Sequence, residues 1–161
     1  MVADDATDPM KDMATAEGTG LNKWLCDGIS DGIQIQAAVD AVEAAGGGIV
    51  LLSEGTFELI TPIIIDSDNV AMIGMGRGAT ILKVSDSAAI QFDVLTLDTV
   101  SDCMVRDIEI DGNDANQAGV LIFGGIVTDD TTHAVIERVS VHDLYDGTGG
   151  TPKGIEIKGA A

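Results

Sequence analysis

The stretch Gly46-Gly47-Gly48-Ile49-Val50-Leu51-Leu52, continued by Ser53-Glu54-Gly55-Thr56-Phe57, decides how this chain folds. Before it, apolar residues recur at helical spacing; after it, they cluster in short β-type segments. A change of period from about 3.6 to 2 across three glycines marks a helix that ends where a run of strands begins. The helix spans roughly residues 32–45. Ile35, Val39 and Val42 form one stripe with Ala38 and Ala45 beside it, while Gln36, Asp40 and Glu43 form a polar stripe. Ser30 or Asp31 is the expected N-cap, and Gly46 the left-handed residue past the C-terminus. An Ala-rich helix approaches a flat surface closely. The open end of a stacked sheet is such a surface, and it needs a cover.

Downstream, Ile49–Leu52, Phe57–Ile60, Ile63–Ile65, Val70–Ile73, Ala79–Val84, Ala89–Val94, Met104–Ile110, Val120–Phe123, Val135–Val141 and Ile155–Ile157 have strand length and β-branched enrichment. Strands without an intervening helix exclude a βαβ sheet. The segments also repeat. Asn69-Val70-Ala71-Met72-Ile73 aligns with Asp102-Cys103-Met104-Val105-Arg106, 33 residues on, and with His133-Ala134-Val135-Ile136-Glu137, 31 further. A second set joins Ala89–Phe92, Gly119–Ile122 and Gly154–Ile157 at offsets of 30 and 35. A common period near 30 predicts successive turns of a solenoid, about four in number. Inward Val, Ile and Leu would stack at about 4.8 Å, with Arg106, Glu109, Glu137 and Arg138 outward.

Composition fits thin repeated layers: 45% hydrophobic, only 3% aromatic, and 20 glycines in 161 residues. The 27 acidic against 8 basic side chains give a formal charge of −19, which repels phosphate backbones and anionic membranes. Nucleic acid and membrane are therefore not expected partners. The excess carboxylates keep a sheet-rich chain soluble or hold a hard cation such as Ca²⁺. Cys26 and Cys103 fit no zinc spacing and read as small buried hydrophobes. Residues 1–23 are polar and acidic and read as a flexible N-terminal arm, leaving 24–161 as the solenoid domain. No signal peptide and no apolar run near 18 residues are visible.

The run Asp31-Gly32-Ile33-Gln34-Ile35-Gln36-Ala37-Ala38-Val39-Asp40, then Ala45–Phe57, resembles the N-terminal signature of pectate-lyase-superfamily right-handed parallel β-helix proteins. Asn69–Leu82 and Val105–Asn113 extend the similarity, which covers about residues 24–159. The resemblance implies an all-β solenoid, a right-handed single-stranded parallel β-helix with an N-terminal capping helix. It also implies polysaccharide as the partner, since the superfamily includes lyases, hydrolases, uronate epimerases and phage tail spikes. An extracellular or virion-surface location follows from the same resemblance. Enzymes of the family have more coils, so this chain resembles the N-terminal part of one, or a short member. Its last coil would expose an edge that a homo-oligomer, an end-to-end assembly or further sequence must cover.

Two clusters carry chemistry. Asp107, Glu109 and Asp111 alternate, which puts their side chains on one face of a strand, with Asp114 in the adjoining loop. Paired carboxylates there suit glycoside hydrolysis, or hold Ca²⁺ through Asp107 and Asp111 beside a uronate, or form a solvated face with a plain Asp111-Gly112-Asn113 turn. His142 and Asp143, with Tyr145, form the second cluster, able to exchange protons near neutral pH. Asp111, Asp114, His142 and Asp143 are the catalytic candidates. Glu109, Arg138, Tyr145 and Lys158 are the candidate substrate contacts. Two functions remain in competition: a module acting on acidic glycans, and a non-catalytic structural piece of a viral or cell-surface fibre.

Overall fold

The computed structural model describes residues 1–7, 26–88, 93–113, 124–145 and 151–159. One helix, α1 (Asp31–Ala44), precedes twelve strands. They are β1 (Gly48–Leu51), β2 (Gly55–Leu59), β3 (Ile63–Ile65), β4 (Val70–Ile73), β5 (Thr80–Val84), β6 (Leu95–Asp98), β7 (Met104–Arg106), β8 (Glu109–Asp111), β9 (Gly124–Asp129), β10 (Val135–Glu137), β11 (Ser140–His142) and β12 (Lys153–Ile157). Every third strand pairs in parallel, giving sheets β1-β4-β7-β10, β2-β5-β8-β11 and β3-β6-β9-β12. Three sheets of four strands make four coils.

The inward rows are apolar on every sheet. Phe57, Leu82, Ile110 and Val141 lie in register on the second sheet; Ile63, Leu95, Ile126 and Ile155 do so on the third. Phe57, Leu82, Ile110, Ile63, Leu95 and Ile126 are fully buried. Small aliphatic side chains suffice because each layer has to fill only one rung's thickness.

The first repeat holds in the coordinates: Ala71 pairs with Met104 and Met104 with Val135, the expected offsets of 33 and 31. Asn69, Asp102 and His133 all have positive φ, so the column that starts each coil is a stack of left-handed corners. The expected single strands Met104–Ile110 and Val135–Val141 are each split in two. Asp107 (φ 59°) and Arg138 (φ 50°) turn the chain from the first sheet to the second. The second repeat is corrected: Ile155 pairs with Ile126, an offset of 29 and not 35. Residues 89–92 and 119–122 lie outside the described residues.

The helix caps the first coil through hydrogen bonds as well as packing. Ile35 and Val39 are buried against the core. Asp31 does not cap its own helix. Its carboxylate accepts from Gly28 N (3.1 Å) and from Glu58 N of the edge strand β2 (2.9 Å), and Ser30 makes no side-chain cap bond. The Gln36 amide donates to Ile64 O (2.9 Å) and accepts from Ile64 N (2.8 Å), acting as a strand partner for β3. Glu43 accepts from Asp66 N (2.9 Å). The polar stripe thus satisfies edge donors that a bare solenoid end would leave unpaired. Gly46 takes the expected left-handed conformation (φ 87°).

Residues 1–7, the start of the expected arm, are packed. Ala3 and Ala6 are buried, Cys26 N donates to Val2 O (2.9 Å), and Asp5 accepts from Thr56 N (2.7 Å). Cys26 and Cys103 are free and buried, and burial pushes the Cys26 thiol up to about 12. No helix among the described residues is long and apolar enough to cross a membrane.

Candidate functional site

On the outward face of the second sheet, Glu58, Lys83, Asp111 and His142 occupy one row, each in register with the next. Parallel pairing places them at about 4.8 Å intervals along the coil axis. Glu109 sits one row over on β8. The Glu109 carboxylate lies 3.2 Å from His142 Nε2, and the Asp143 carboxylate 3.0 Å from Nδ1. Asp111 Oδ1 is 4.0 Å from the same Nδ1. Three carboxylates therefore surround one imidazole. Hydrogen bonding to Asp143, then Glu109, raises the His142 pKa above its ordinary value. The His142 side chain is 39% exposed, so the group remains open to a ligand.

The other sequence candidates fall elsewhere. Asp107 stands at the corner between β7 and β8, off the face shared by Glu109 and Asp111. There Arg138 grips it through two bonds, Nε to Oδ1 at 2.6 Å and Nη2 to Oδ2 at 2.7 Å. That pairing holds the Asp107 carboxyl below the usual carboxylate range. Asp107 and Asp111 therefore do not converge as ligands for one ion; Asp111, His142 and Asp143 do. Arg138 also pairs with Glu137. Tyr145 is exposed beyond β11. Asp114 lies outside the described residues, as does Trp24, which the apolar pattern would set over the core's end.

Lys158 belongs to a separate group on β12, where Glu156 pairs with Lys153 and lies 3.9 Å from the Lys158 ammonium. Asp93 faces the same charges; burial raises its pKa, partly offset by Lys158. The connections that follow β8 and β11 both turn from the second sheet to the third, so both groups flank one corner of the coil.

No family model matches this chain. Its curated relatives are mannuronan C5-epimerases and an alginate lyase of Azotobacter vinelandii. Epimerase AlgE6 is 33% identical over 136 residues, 74% of this chain and 16% of that protein. Alginate lyase 7 is 33% identical over 95 residues, 53% of this chain and 11% of that protein. Among solved structures, the AlgE4 A-module of the same organism superposes with a TM-score of 0.63 at 28% identity, over 81% of this chain and 38% of that one. That superposition, on top of three parallel four-stranded sheets, decides the class. The chain is a right-handed parallel β-helix of the pectate-lyase-like superfamily. It spans a quarter or less of the length of the epimerase AlgE6 and the lyase.

In this β-helix, register explains what sequence reading overlooked. Lys83 is 28 residues before Asp111 and His142 is 31 after it, so unequal coil lengths hide the row. Aligning coils on the left-handed corners would have exposed it. Gly112 holds the second half of the site in place. Its N donates to His142 O (2.9 Å), and a Cβ there would overlap the backbone of Asp143. Only glycine lets the two coils approach this closely.

Proposed function

We propose that this chain is a polysaccharide-engaging β-helix module that acts on an acidic glycan of the alginate class. The observation carrying the proposal is the outward row Lys83, Asp111 and His142, repeated rung by rung on a flat sheet. A linear polymer presents the same groups at a regular interval, which such a ladder matches. Lys83, Lys153 and Lys158 are three of only 8 basic side chains, and all are assigned to contact polymer carboxylates. Glu109, Asp111, His142 and Asp143 are assigned to sugar hydroxyls and to the reacting region. The relatives named above, epimerases of mannuronan and a lyase of alginate, support a uronate polymer. Acting on such a polymer puts the chain outside the cell or on a virion surface.

The test is affinity electrophoresis and product analysis with polymannuronate, mixed alginate, pectate and neutral dextran. Retardation by uronate polymers, lost in Lys83→Ala with Lys158→Ala, is expected, together with unsaturated ends or altered C5 configuration if the chain turns over substrate. Equal mobility with all four polymers would overturn the reading.

One observation favours a second reading, a non-catalytic assembly module. Ile155 and Ile157 continue buried rows of the third sheet, yet they are 46% and 79% exposed. A second chain seated on this last coil would bury them. Light scattering that returns a concentration-independent monomer, with no end-to-end species, would remove it.

A further inference from the structure

The proposed glycan carries carboxylates, and the face assigned to it carries Glu109, Asp111 and Asp143 in a chain of formal charge −19. Two such surfaces meet favourably only with a cation between them. The geometry around His142 supplies a place for one. The Glu109 carboxylate takes the Nε2 side of the ring at 3.2 Å. A proton held there leaves the Nδ1 lone pair directed at Asp143 (3.0 Å) and Asp111 (4.0 Å), where acceptor meets acceptors with no donor among them. One ligand atom from each of Asp111, His142 and Asp143 lies within 4.8 Å of the others. Separations of this size are those of adjacent ligands on an ion about 2.0–2.2 Å from each.

We infer that Asp111, His142 and Asp143 form a divalent metal site of the borderline class, with Zn²⁺ as the reference ion and Glu109 orienting the imidazole from behind. This rests on the glycan reading above only for its consequence: the ion's open positions accept a uronate carboxylate. An imidazole nitrogen favours Zn²⁺ or Mn²⁺ over Ca²⁺, which takes oxygen ligands. The arrangement of carboxylate, imidazole and metal fixes the tautomer that leaves Nδ1 free to coordinate. Three protein ligands on a partly exposed surface leave coordination positions for water or substrate. Asp111 is held by β8 and His142 by β11 in direct register, so two ligands sit on rigid strands. Asp143 follows immediately at a left-handed corner (φ 52°), which turns its carboxylate back toward the ring.

Chelator-treated full chain would be titrated with Zn²⁺, Mn²⁺ and Ca²⁺ by calorimetry, and the imidazole nitrogens followed by NMR. The expected result is one Zn²⁺ per chain, with Nδ1 of His142 shifting as the ligating nitrogen. His142→Ala and Asp143→Ala should each lower Zn²⁺ affinity at least tenfold, and Glu109→Gln about tenfold with all three ligands retained. His133→Ala, which removes the other histidine, should change nothing. Circular dichroism confirms that each variant is folded. Zn²⁺ binding unchanged in His142→Ala, coordination through Nε2, or tighter binding of Ca²⁺ than of Zn²⁺ would overturn the inference. Zn²⁺ binding without any uronate retardation would leave the metal site standing and remove the glycan reading. Uronate retardation indifferent to Zn²⁺, in a chain that binds none, would do the reverse.

Discussion

Replacing Asp31 tests the idea that the helix seals the solenoid by hydrogen bonding as well as by packing. The Asp31 side chain is fully buried and accepts two backbone N–H groups, from Gly28 and from the edge strand at Glu58. Asp31→Ala orphans both donors. Each buried unsatisfied group costs about 1–3 kcal/mol, and some water entry places the expected total near 3 kcal/mol. For a chain of this size that is a fall in Tm of roughly 6–12 °C. Asp31→Asn keeps one acceptor and turns an NH₂ toward the other donor, so it should lose about half as much. Burial also raises the Asp31 pKa, outweighing the backbone bonds that lower it. The folded state therefore holds this proton more tightly than the unfolded one. Its stabilising contribution is complete below the unfolded pKa, about 3.9, and declines as pH rises through the folded value. Urea denaturation of wild type, D31N and D31A from pH 4 to 7 measures both effects. A cost below about 0.5 kcal/mol for D31A, the level of an ordinary surface change, would refute the sealing role. So would a gap between wild type and D31N that widens with pH.

Other outcomes follow from particular contacts. Leu82→Ala empties a buried position between Phe57 and Ile110 in the second sheet's inner row, and should cost about 2–5 kcal/mol by chemical denaturation. Gly112→Ala would push the Asp143 backbone away from its rung; NMR shifts confined to residues around 142–144, with lower Zn²⁺ affinity, are expected. In chelator-treated protein, His142 should titrate above the ordinary histidine value by NMR. Asp143→Asn should lower that value more than Glu109→Gln does, in the order of their hydrogen bonds. Arg138→Ala should return the Asp107 carboxyl toward its ordinary range while leaving Tm nearly unchanged, because the pair is largely solvent-exposed.

The sequence by itself determined the helix, the position of its glycine stop and the solenoid. These depend on local spacing: a stripe at helical period, then apolar alternation punctuated by left-handed corners. The repeat Asn69, Asp102, His133 was legible because the same backbone constraint recurs at each corner and favours Asn, Asp or His there. The clustering of His142 with Asp111 and Asp143 was only half legible, since two of the three are sequence neighbours. Other features were set by the tertiary structure. The break of β7 from β8 at Asp107, the pairing of that residue with Arg138, and the row through Lys83 all depend on how far each coil travels before returning. Coil length varies with the loops, and the backbone hydrogen bonds between rungs, which no local pattern encodes, fix which side chains stand side by side. The duty of Asp31, Gln36 and Glu43 was hidden for the same reason. On an isolated helix they are a polar face; against the first coil they become the missing strand.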